Sequence, residues 1–380
     1  MSRRVLILMS DTGGGHRSAA EAIADAFARE LPGRYQVTLL DGIARTAVFP
    51  FNHTAEWYLP FTTYAEFAWR LLFYSTNNPV MARALLLLID LLAERGLRRL
   101  LREQSPDLVV SVHPVFNTMP YRALRSIGSR APFVTVVTDL FSAHGLWFNP
   151  KADLTLVPTD GAREVGLRWG MSSDKLRVVG LPVSLKYLDD GRNQREYRVQ
   201  LGLDPDCTTA LLVGGGEGMG HLYEIARAID AARLPLQLIV IAGRNRKLYD
   251  QLRASKWHTS ISIQRFVTNM PAWMRASDVI ITKAGPGTIS EALACGLPIV
   301  LSGFLPGQEE GNVTFVQESG VGVLRESPEE IARTLREWLT PGNDTLTCHA
   351  ARARQLARPR AALEIASILN EILTARTERV

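Results

Sequence analysis

The chain holds 380 residues, 46% hydrophobic and 21% charged, with a formal net charge of +5 and a pI of about 9.2. That length exceeds one ordinary core and predicts two domains of a globular protein. The basic balance would suit nucleic acid or an anionic membrane surface, but no nucleic-acid-binding motif and no long basic run is present, so no nucleic acid is expected.

The longest apolar run, residues 84–89, is far below the roughly 20 residues that a membrane-spanning helix needs. Cys207, Cys295 and Cys348 are far apart and lack metal-type spacing; they read as reduced thiols of a cytoplasmic protein, and no metal is expected. The opening run, residues 4–10, is too short for a signal peptide and ends at Asp11. It reads as a strand covered on both faces.

A tight glycine loop follows that strand, Asp11-Thr12-Gly13-Gly14-Gly15-His16. A helix over 18–30 and a strand over 37–40 complete a βαβ unit. Residues 43–78 hold ten of the chain's 29 aromatic residues, Trp57 and Trp69 among them, and lead into a helix over 80–102. That helix carries residues 85–92 on its apolar side and ends in Arg95, Arg98, Arg99 and Arg102. Two readings stand: a core helix whose cations suit the C-terminal dipole, or an aromatic and basic surface that docks on lipid.

Further strands are predicted over 107–112, ending at His113-Pro114, and over 133–138, ending at Asp139, with His144 and Trp147 just beyond. Strands over 154–157 and 177–179 finish the first sheet, and the polar stretch 189–198 reads as the crossing between domains. The second half repeats the plan. A strand over 209–213 runs into Gly214-Gly215-Gly216-Glu217-Gly218-Met219-Gly220, a helix spans 222–232, and a strand over 236–242 ends at Gly243-Arg244-Asn245. A strand over 261–266, a helix over 270–276 and a strand over 279–281 precede Lys283-Ala284-Gly285-Pro286-Gly287. A helix over 288–295 with Glu291 in its first turn, a strand over 299–301 and the polar loop Pro306-Gly307-Gln308-Glu309 follow, and helices over 328–339 and 363–375 come last. The pattern predicts two doubly wound α/β domains facing one another across a cleft, with ligands at the carboxyl ends of the strands.

Loops rich in backbone N–H groups at helix N-termini suit a phosphate, and Glu291, Gln308 and Glu309 can accept hydrogen bonds from sugar hydroxyls. Together they suggest a nucleotide-sugar site, against the alternative of ordinary strand-to-helix turns. The Gly13–His16 loop lacks the spacing of the dinucleotide fingerprint, and only Asp41 stands where a ribose ligand would. His16 opens a helix whose dipole disfavours imidazolium, so a proton-accepting neutral imidazole is one reading and a turn-capping histidine the other. His113, Asp139 and His144 sit at consecutive strand ends, the composition of a general-base pair. Asp204-Pro205-Asp206 has the D-x-D pattern of metal-dependent sugar transferases, but it precedes a strand and reads as a turn.

The segment LMSDTGGGHRSAAEAI (8–23), with SVHP (111–114), VTDL (137–140) and KAGPGTISEAL…GLPIVL…PGQEEGN (283–312), resembles the monogalactosyldiacylglycerol synthases and the related bacterial diacylglycerol glucosyltransferases. More distantly the chain is similar to the peptidoglycan-precursor N-acetylglucosaminyltransferase. The resemblance implies the two-domain GT-B fold, with residues 1–184 as the acceptor and membrane-docking domain, 185–350 as the donor domain, and 351–380 as C-terminal helices packing back toward the first. It implies an inverting, metal-independent transfer of a hexose from UDP-galactose or UDP-glucose to diacylglycerol, with no cofactor and with anionic lipid as a candidate activator. The runner-up readings are a UDP-sugar transferase with another acceptor and a non-catalytic UDP-sugar-binding regulator.

By that resemblance Gly214, Gly215, Gly216 and Gly218, with Gly285, Gly287 and Thr288, would face the diphosphate. Phe266 and Val267 would hold the uracil, Glu291 the ribose, and Gln308 and Glu309 the hexose. Asn312 closes the motif, and Arg244-Asn245 replaces an expected Lys-Asn pair with retained charge. His16 and Asp139 would be catalytic. Gly14, Gly15, His113, Pro114, His144 and Trp147 would line the acceptor side. Trp57, Trp69, Arg98, Arg99 and Arg102 would meet an anionic membrane at the inner face of the cell membrane.

Overall fold

A computed structural model describes residues 2–11, 14–47, 51–53, 56 and 65–375. It divides into two compact units. The first comprises residues 1–185, 305–308 and 359–380, and the second residues 186–304 and 309–358. Each carries a six-stranded, all-parallel sheet with helices around it, the α/β architecture that the alternation of elements predicts.

In the first unit β1 (Arg3–Met9), β2 (Tyr35–Asp41), β3 (Leu108–Ser111), β4 (Phe133–Val136), β5 (Leu154–Val157) and β6 (Leu176–Val178) stand in the order β2-β1-β3-β4-β5-β6. Val5 to Met9 are almost fully buried, as a strand covered on both faces requires. After β1 the chain adds β2 on one side and then returns to add β3 on the other. The crevice between β1 and β3 is therefore the topological switch point, where open sheets bind ligands. Ala19, Ala20, Ala22, Ile23, Ala26 and Phe27 are the buried face of the Gly15–Glu30 helix. The C-terminal Ala361–Ala375 helix belongs to this unit, and its Asn370 accepts a hydrogen bond from the Tyr35 hydroxyl at 2.6 Å.

The Pro79–Gln104 helix departs from expectation. Its core face is Ala93, Leu97, Leu100 and Leu101, while Val80, Met81 and Leu87 are exposed. Among the described side chains of the apolar run, Leu85, Leu86, Ile89 and Leu92 are only half-buried and Leu87 is exposed. Residues 66–76 of the aromatic stretch form a helix of their own, Glu66–Thr76. Sequence reading passed over it because Phe67, Leu71 and Tyr74 lie exposed, and so trace no core-facing stripe.

In the second unit β7 (Thr209–Val213), β8 (Gln237–Ile241), β9 (Ile261–Gln264), β10 (Val279–Thr282), β11 (Ile299–Leu301) and β12 (Gly322–Leu324) stand in the order β12-β11-β10-β7-β8-β9. Its switch point lies between β7 and β10. The expected crossing stretch holds a short helix, Gln194–Gln200, opened by a capping box of Asn193 and Glu196 and stitched to the sheet by Arg198, which donates to the Ala276 carbonyl and pairs with Asp278. Its charged sequence hid it; the cap was the legible signal.

Candidate active site

At the switch point of the first sheet, the loops after β1 and β3 bring two imidazoles together. The rings of His16 and His113 lie 4.5 Å apart, edge to face. Gly14 caps the Gly15–Glu30 helix in the left-handed region (φ 76°), and a Cβ on Gly14 or Gly15 would meet nothing within 4 Å, so the backbone beside His16 is open. Thr12 and Gly13 lie outside the described residues.

His16 is held by Thr138, whose Oγ1 is 2.9 Å from its Nδ1. Burial pushes its pKa down to about 4, against a backbone hydrogen bond at Val112 that acts in the opposite direction. The ring is therefore neutral at physiological pH. The tautomer that the Thr138 and Val112 partners select decides which ring nitrogen can accept a proton.

His113 is buried and holds its pKa well below the usual range, first by desolvation and then by the adjacent His16. Its Nδ1 accepts the Val115 N–H at 3.3 Å, capping the turn that Pro114 opens. Asp139 is buried beside them, and its Oδ2 accepts the Trp147 indole N–H at 2.6 Å. The Trp147 ring lies 6.0 Å from His16. Thr138, one place before the predicted Asp139, touches the His16 ring nitrogen.

Trp147 is fully buried, which removes it from any lipid-facing role and makes it the partner of Asp139. His144 is held at both nitrogens. Nδ1 accepts the Leu146 N–H at 3.1 Å, Nε2 is 3.2 Å from Thr76 Oγ1, and burial lowers its pKa to about 4. It anchors the Glu66–Thr76 helix, with Phe73 stacked on its edge at 4.9 Å. Two residues escaped the sequence reading. Thr138 gave no signal beyond its place next to Asp139. Asn117, fully buried, donates to the carbonyls of His113, Pro114 and Leu146 and accepts from Thr135. Nothing in its sequence surroundings distinguishes it from a loop asparagine.

The membrane-facing expectations divide. Trp57 lies outside the described residues. Trp69 is half-buried, its ring 6.4 Å from Phe73. Arg98 and Arg99 pair with Glu94 and Glu103 at 2.7 and 2.8 Å, and Arg102 is exposed. The helix end is therefore less cationic than its arginines suggest. The exposed apolar side chains Phe67, Leu71, Val80, Met81 and Leu87 stand out instead.

In the second unit, the loop after β7 needs its glycines. A Cβ on Gly218 (φ 62°) would lie 2.0 Å from the Ala242 carbonyl, and one on Gly214 would lie 2.1 Å from that of Met219. Gly215, at φ 71°, would bring a Cβ to 4.0 Å from Lys283 Cε. Gly216 lies beside Arg244, whose guanidinium stacks on the exposed Phe266 ring at 4.3 Å and donates to Glu217 at 2.7 Å. Val267 follows β9 next to that ring. Asn245 works on the protein itself: it caps the Arg246–Ala254 helix and its amide donates to the Gly218 carbonyl at 3.2 Å.

Across the same switch point, Gly285 caps the Pro286–Ala294 helix. The helix starts at Pro286, earlier than expected because proline fits its first turn. Gly287 and Thr288 therefore lie in that turn, where backbone N–H groups lack intrahelical partners, and Glu291 falls in the second turn. Burial raises the Glu291 carboxyl to about 7, and a hydrogen bond from Tyr187 lowers it in part. Glu309 is buried and accepts from Lys283 Nζ at 2.6 Å. Asn312, also buried, donates to the Ala284 carbonyl at 2.8 Å and so holds the turn. Gln308 groups with the first unit together with Gly307, on which Phe73 packs.

Asp204-Pro205-Asp206 forms a turn: Asp204 accepts the Asp206 N–H at 2.9 Å, and Asp206 pairs with Arg195. It precedes β7, at the edge of the sheet away from the glycine loops. Among the described residues no three His, Cys, Asp or Glu side chains gather as metal ligands, and no helix is long and apolar enough to cross a membrane.

Comparison with known proteins gives two family matches. The model described as monogalactosyldiacylglycerol (MGDG) synthase covers residues 16–183, and the glycosyltransferase family 28 C-terminal domain covers residues 209–361. The chain is 38% identical to monogalactosyldiacylglycerol synthase 2 of Arabidopsis thaliana, over 99% of this chain and 82% of that protein. It is 38% identical to the monogalactosyldiacylglycerol synthase of Spinacia oleracea, over 98% and 73% respectively. Among solved structures, Acinetobacter baumannii MurG aligns over 97% of this chain and 99% of its own, with a TM-score of 0.63 at 15% identity. A UDP-GlcNAc 2-epimerase from Neisseria meningitidis aligns over 98% and 100%, with a TM-score of 0.61 at 13% identity. At those identities the structures share the fold.

Proposed function

Since the chain belongs to the monogalactosyldiacylglycerol synthase family of glycosyltransferases, we propose that it transfers galactose from UDP-galactose to the free hydroxyl of diacylglycerol, inverting the anomeric centre without a metal ion. The observation that carries this reading is the 38% identity to plant synthases along nearly the whole chain. The placement of His16, Lys283, Glu291 and Glu309 beside the two sheet switch points supports it.

The second unit binds the donor. The N–H groups at the start of the Pro286–Ala294 helix and the loop after β7 meet the diphosphate, Glu291 meets the ribose, and Phe266 and Val267 the uracil. Glu309 meets the hexose. His16 accepts the proton of the acceptor hydroxyl as that oxygen bonds to C1 of the sugar. The bond from C1 to the β-phosphate oxygen breaks, and its electron pair leaves with UDP. Donors already oriented at the diphosphate stabilise that charge without reorganisation. Thr138 orients His16, and Asp139 fixes Trp147 beside it. The lipid acceptor draws the protein to a bilayer surface, and the exposed Phe67, Leu71, Val80 and Leu87 are the side chains that would enter it.

The test is a lipid-containing assay with purified protein, diacylglycerol and either UDP-galactose or UDP-glucose, reading UDP release and the glycolipid formed. Galactolipid with the β configuration is expected, with activity retained in chelator. Absence of any glycolipid from both donors overturns the reading, and glucolipid alone overturns the donor assignment.

A further inference from the structure

Loops of the second unit meet at one exposed aromatic ring. Gly216 and Glu217 follow β7, Arg244 follows β8 and Phe266 follows β9, and these strands are neighbours in the sheet. The root of Arg244 is fixed. Its backbone N–H donates to the Gly216 carbonyl at 2.9 Å, and a Cβ on Gly243 (φ 60°) would come within 2.4 Å of the same carbonyl oxygen. Its guanidinium is held only by surface contacts. It covers the Phe266 ring at 4.3 Å from the centroid and donates to Glu217 at 2.7 Å. The Arg244 and Glu217 side chains are 59% and 46% exposed. A Cβ on Gly216 would lie 3.3 Å from Arg244 Nη1 and 3.7 Å from Phe266 Cε2. The guanidinium therefore stands beside both the ring and the glycine backbone. An exposed ion pair and an exposed cation–π contact are each weak, so a ligand can displace the group at small cost.

We propose that Arg244 and Glu217 form a displaceable plug on the nucleobase platform: the guanidinium covers the Phe266 ring in the empty site, and the donor's diphosphate draws it off Glu217 as the uracil takes its place on the ring. This rests on the donor reading above and assigns Glu217 a part in it. Charge decides the direction of the exchange. A diphosphate offers the guanidinium paired, charge-assisted hydrogen bonds, which outweigh one exposed carboxylate. A nucleoside must uncover the ring and offers the guanidinium no new partner. Glu217 holds the guanidinium on the ring and repels the incoming diphosphate. The plug thereby makes binding depend on the phosphates as well as the base, and the site rejects free nucleosides.

Calorimetric titration of the full chain with uridine and UDP tests this. The wild type should bind UDP more tightly than uridine. Arg244→Ala should move the two ligands in opposite directions. Uridine should bind roughly 2- to 5-fold more tightly as the ring is uncovered, and UDP roughly 10- to 100-fold more weakly as the charge-assisted hydrogen bonds are lost. Arg244→Lys keeps the charge and should restore part of the UDP affinity. Glu217→Gln should tighten UDP by roughly 2- to 5-fold, a gain that loss of a merely structural contact does not produce. A wild type that binds neither ligand refutes the donor reading itself. A wild type that binds UDP, with Arg244→Ala binding uridine no more tightly than the wild type, or with Glu217→Gln failing to tighten UDP, overturns the plug and leaves the donor reading standing. The Glu217→Gln arm decides the matter alone if Arg244→Ala does not fold.

Discussion

Two ionisable side chains carry opposite consequences of burial. His16 is lowered to about 4 and stays neutral at working pH, while Glu291 is raised to about 7 and is ionised only above it. With Glu291 proposed to meet the donor's ribose as an accepting carboxylate, kcat/KM for UDP-galactose should fall as pH drops through about 7, with that limb set by Glu291 rather than His16. In Glu291→Gln that limb should vanish while the donor KM rises. His16→Ala should instead lower kcat by roughly 100- to 10,000-fold, the usual contribution of a positioned base, with the limb intact. Rate profiles over pH for both variants check this; a limb that survives in Glu291→Gln removes the assignment. Stability should follow the same titration. A carboxyl raised in the fold contributes stability at low pH that is lost as pH rises through its folded pKa. Glu291→Gln should therefore raise the melting temperature at about pH 8 and leave it unchanged below about pH 5.

The glycine loop after β7 shows how an element is specified by contact rather than composition. Gly218 combines a left-handed φ with a site where a Cβ would strike the Ala242 carbonyl at 2.0 Å, whereas a Cβ on Gly287 would meet nothing within 4 Å. Gly218→Ala should cost about 1–3 kcal/mol, the scale of a strained backbone position, and weaken UDP binding as the loop shifts. Gly287→Ala should leave stability within about 0.5 kcal/mol of the wild type. Denaturant unfolding with UDP titration of both variants makes the comparison, and equal destabilisation would refute it. The strands were legible because continuous apolar runs mark a sheet covered on both faces. The Glu66–Thr76 helix was not, since Phe67, Leu71, Leu72 and Tyr74 face outward, and the Gln194–Gln200 helix was hidden by charge.

At the scale of the whole molecule, the apolar side chains exposed on the Glu66–Thr76 and Pro79–Gln104 helices bear on where the protein works. Phe67 is 78% exposed, Val80 71%, Leu71 63% and Leu87 62%. Replacing these four with serine should lower sedimentation with diacylglycerol-containing liposomes at least about 10-fold, since each large apolar side chain contributes about 1.5–3 kcal/mol when buried. UDP affinity should not change, because none of the four belongs to the donor site. Unaltered liposome binding would move the docking surface elsewhere. With Arg98 and Arg99 already paired to glutamates, the dependence of that binding on salt should be weak.

The sequence by itself determined the two parallel sheets, their glycine turns and the chemistry gathered at strand ends, because hydrophobic periodicity and glycine placement are local properties written into neighbouring residues. It placed His16, Asp139, Glu291 and Glu309 at the ends of strands or the starts of helices. Only the tertiary structure decided their partners. Thr138 lies 122 positions from the His16 that it orients, Asn117 joins a turn to a loop 29 positions away, and Lys283 reaches Glu309 across 26. Such pairings depend on strand order and register, and no local pattern carries them until the sheet brings its strand ends together.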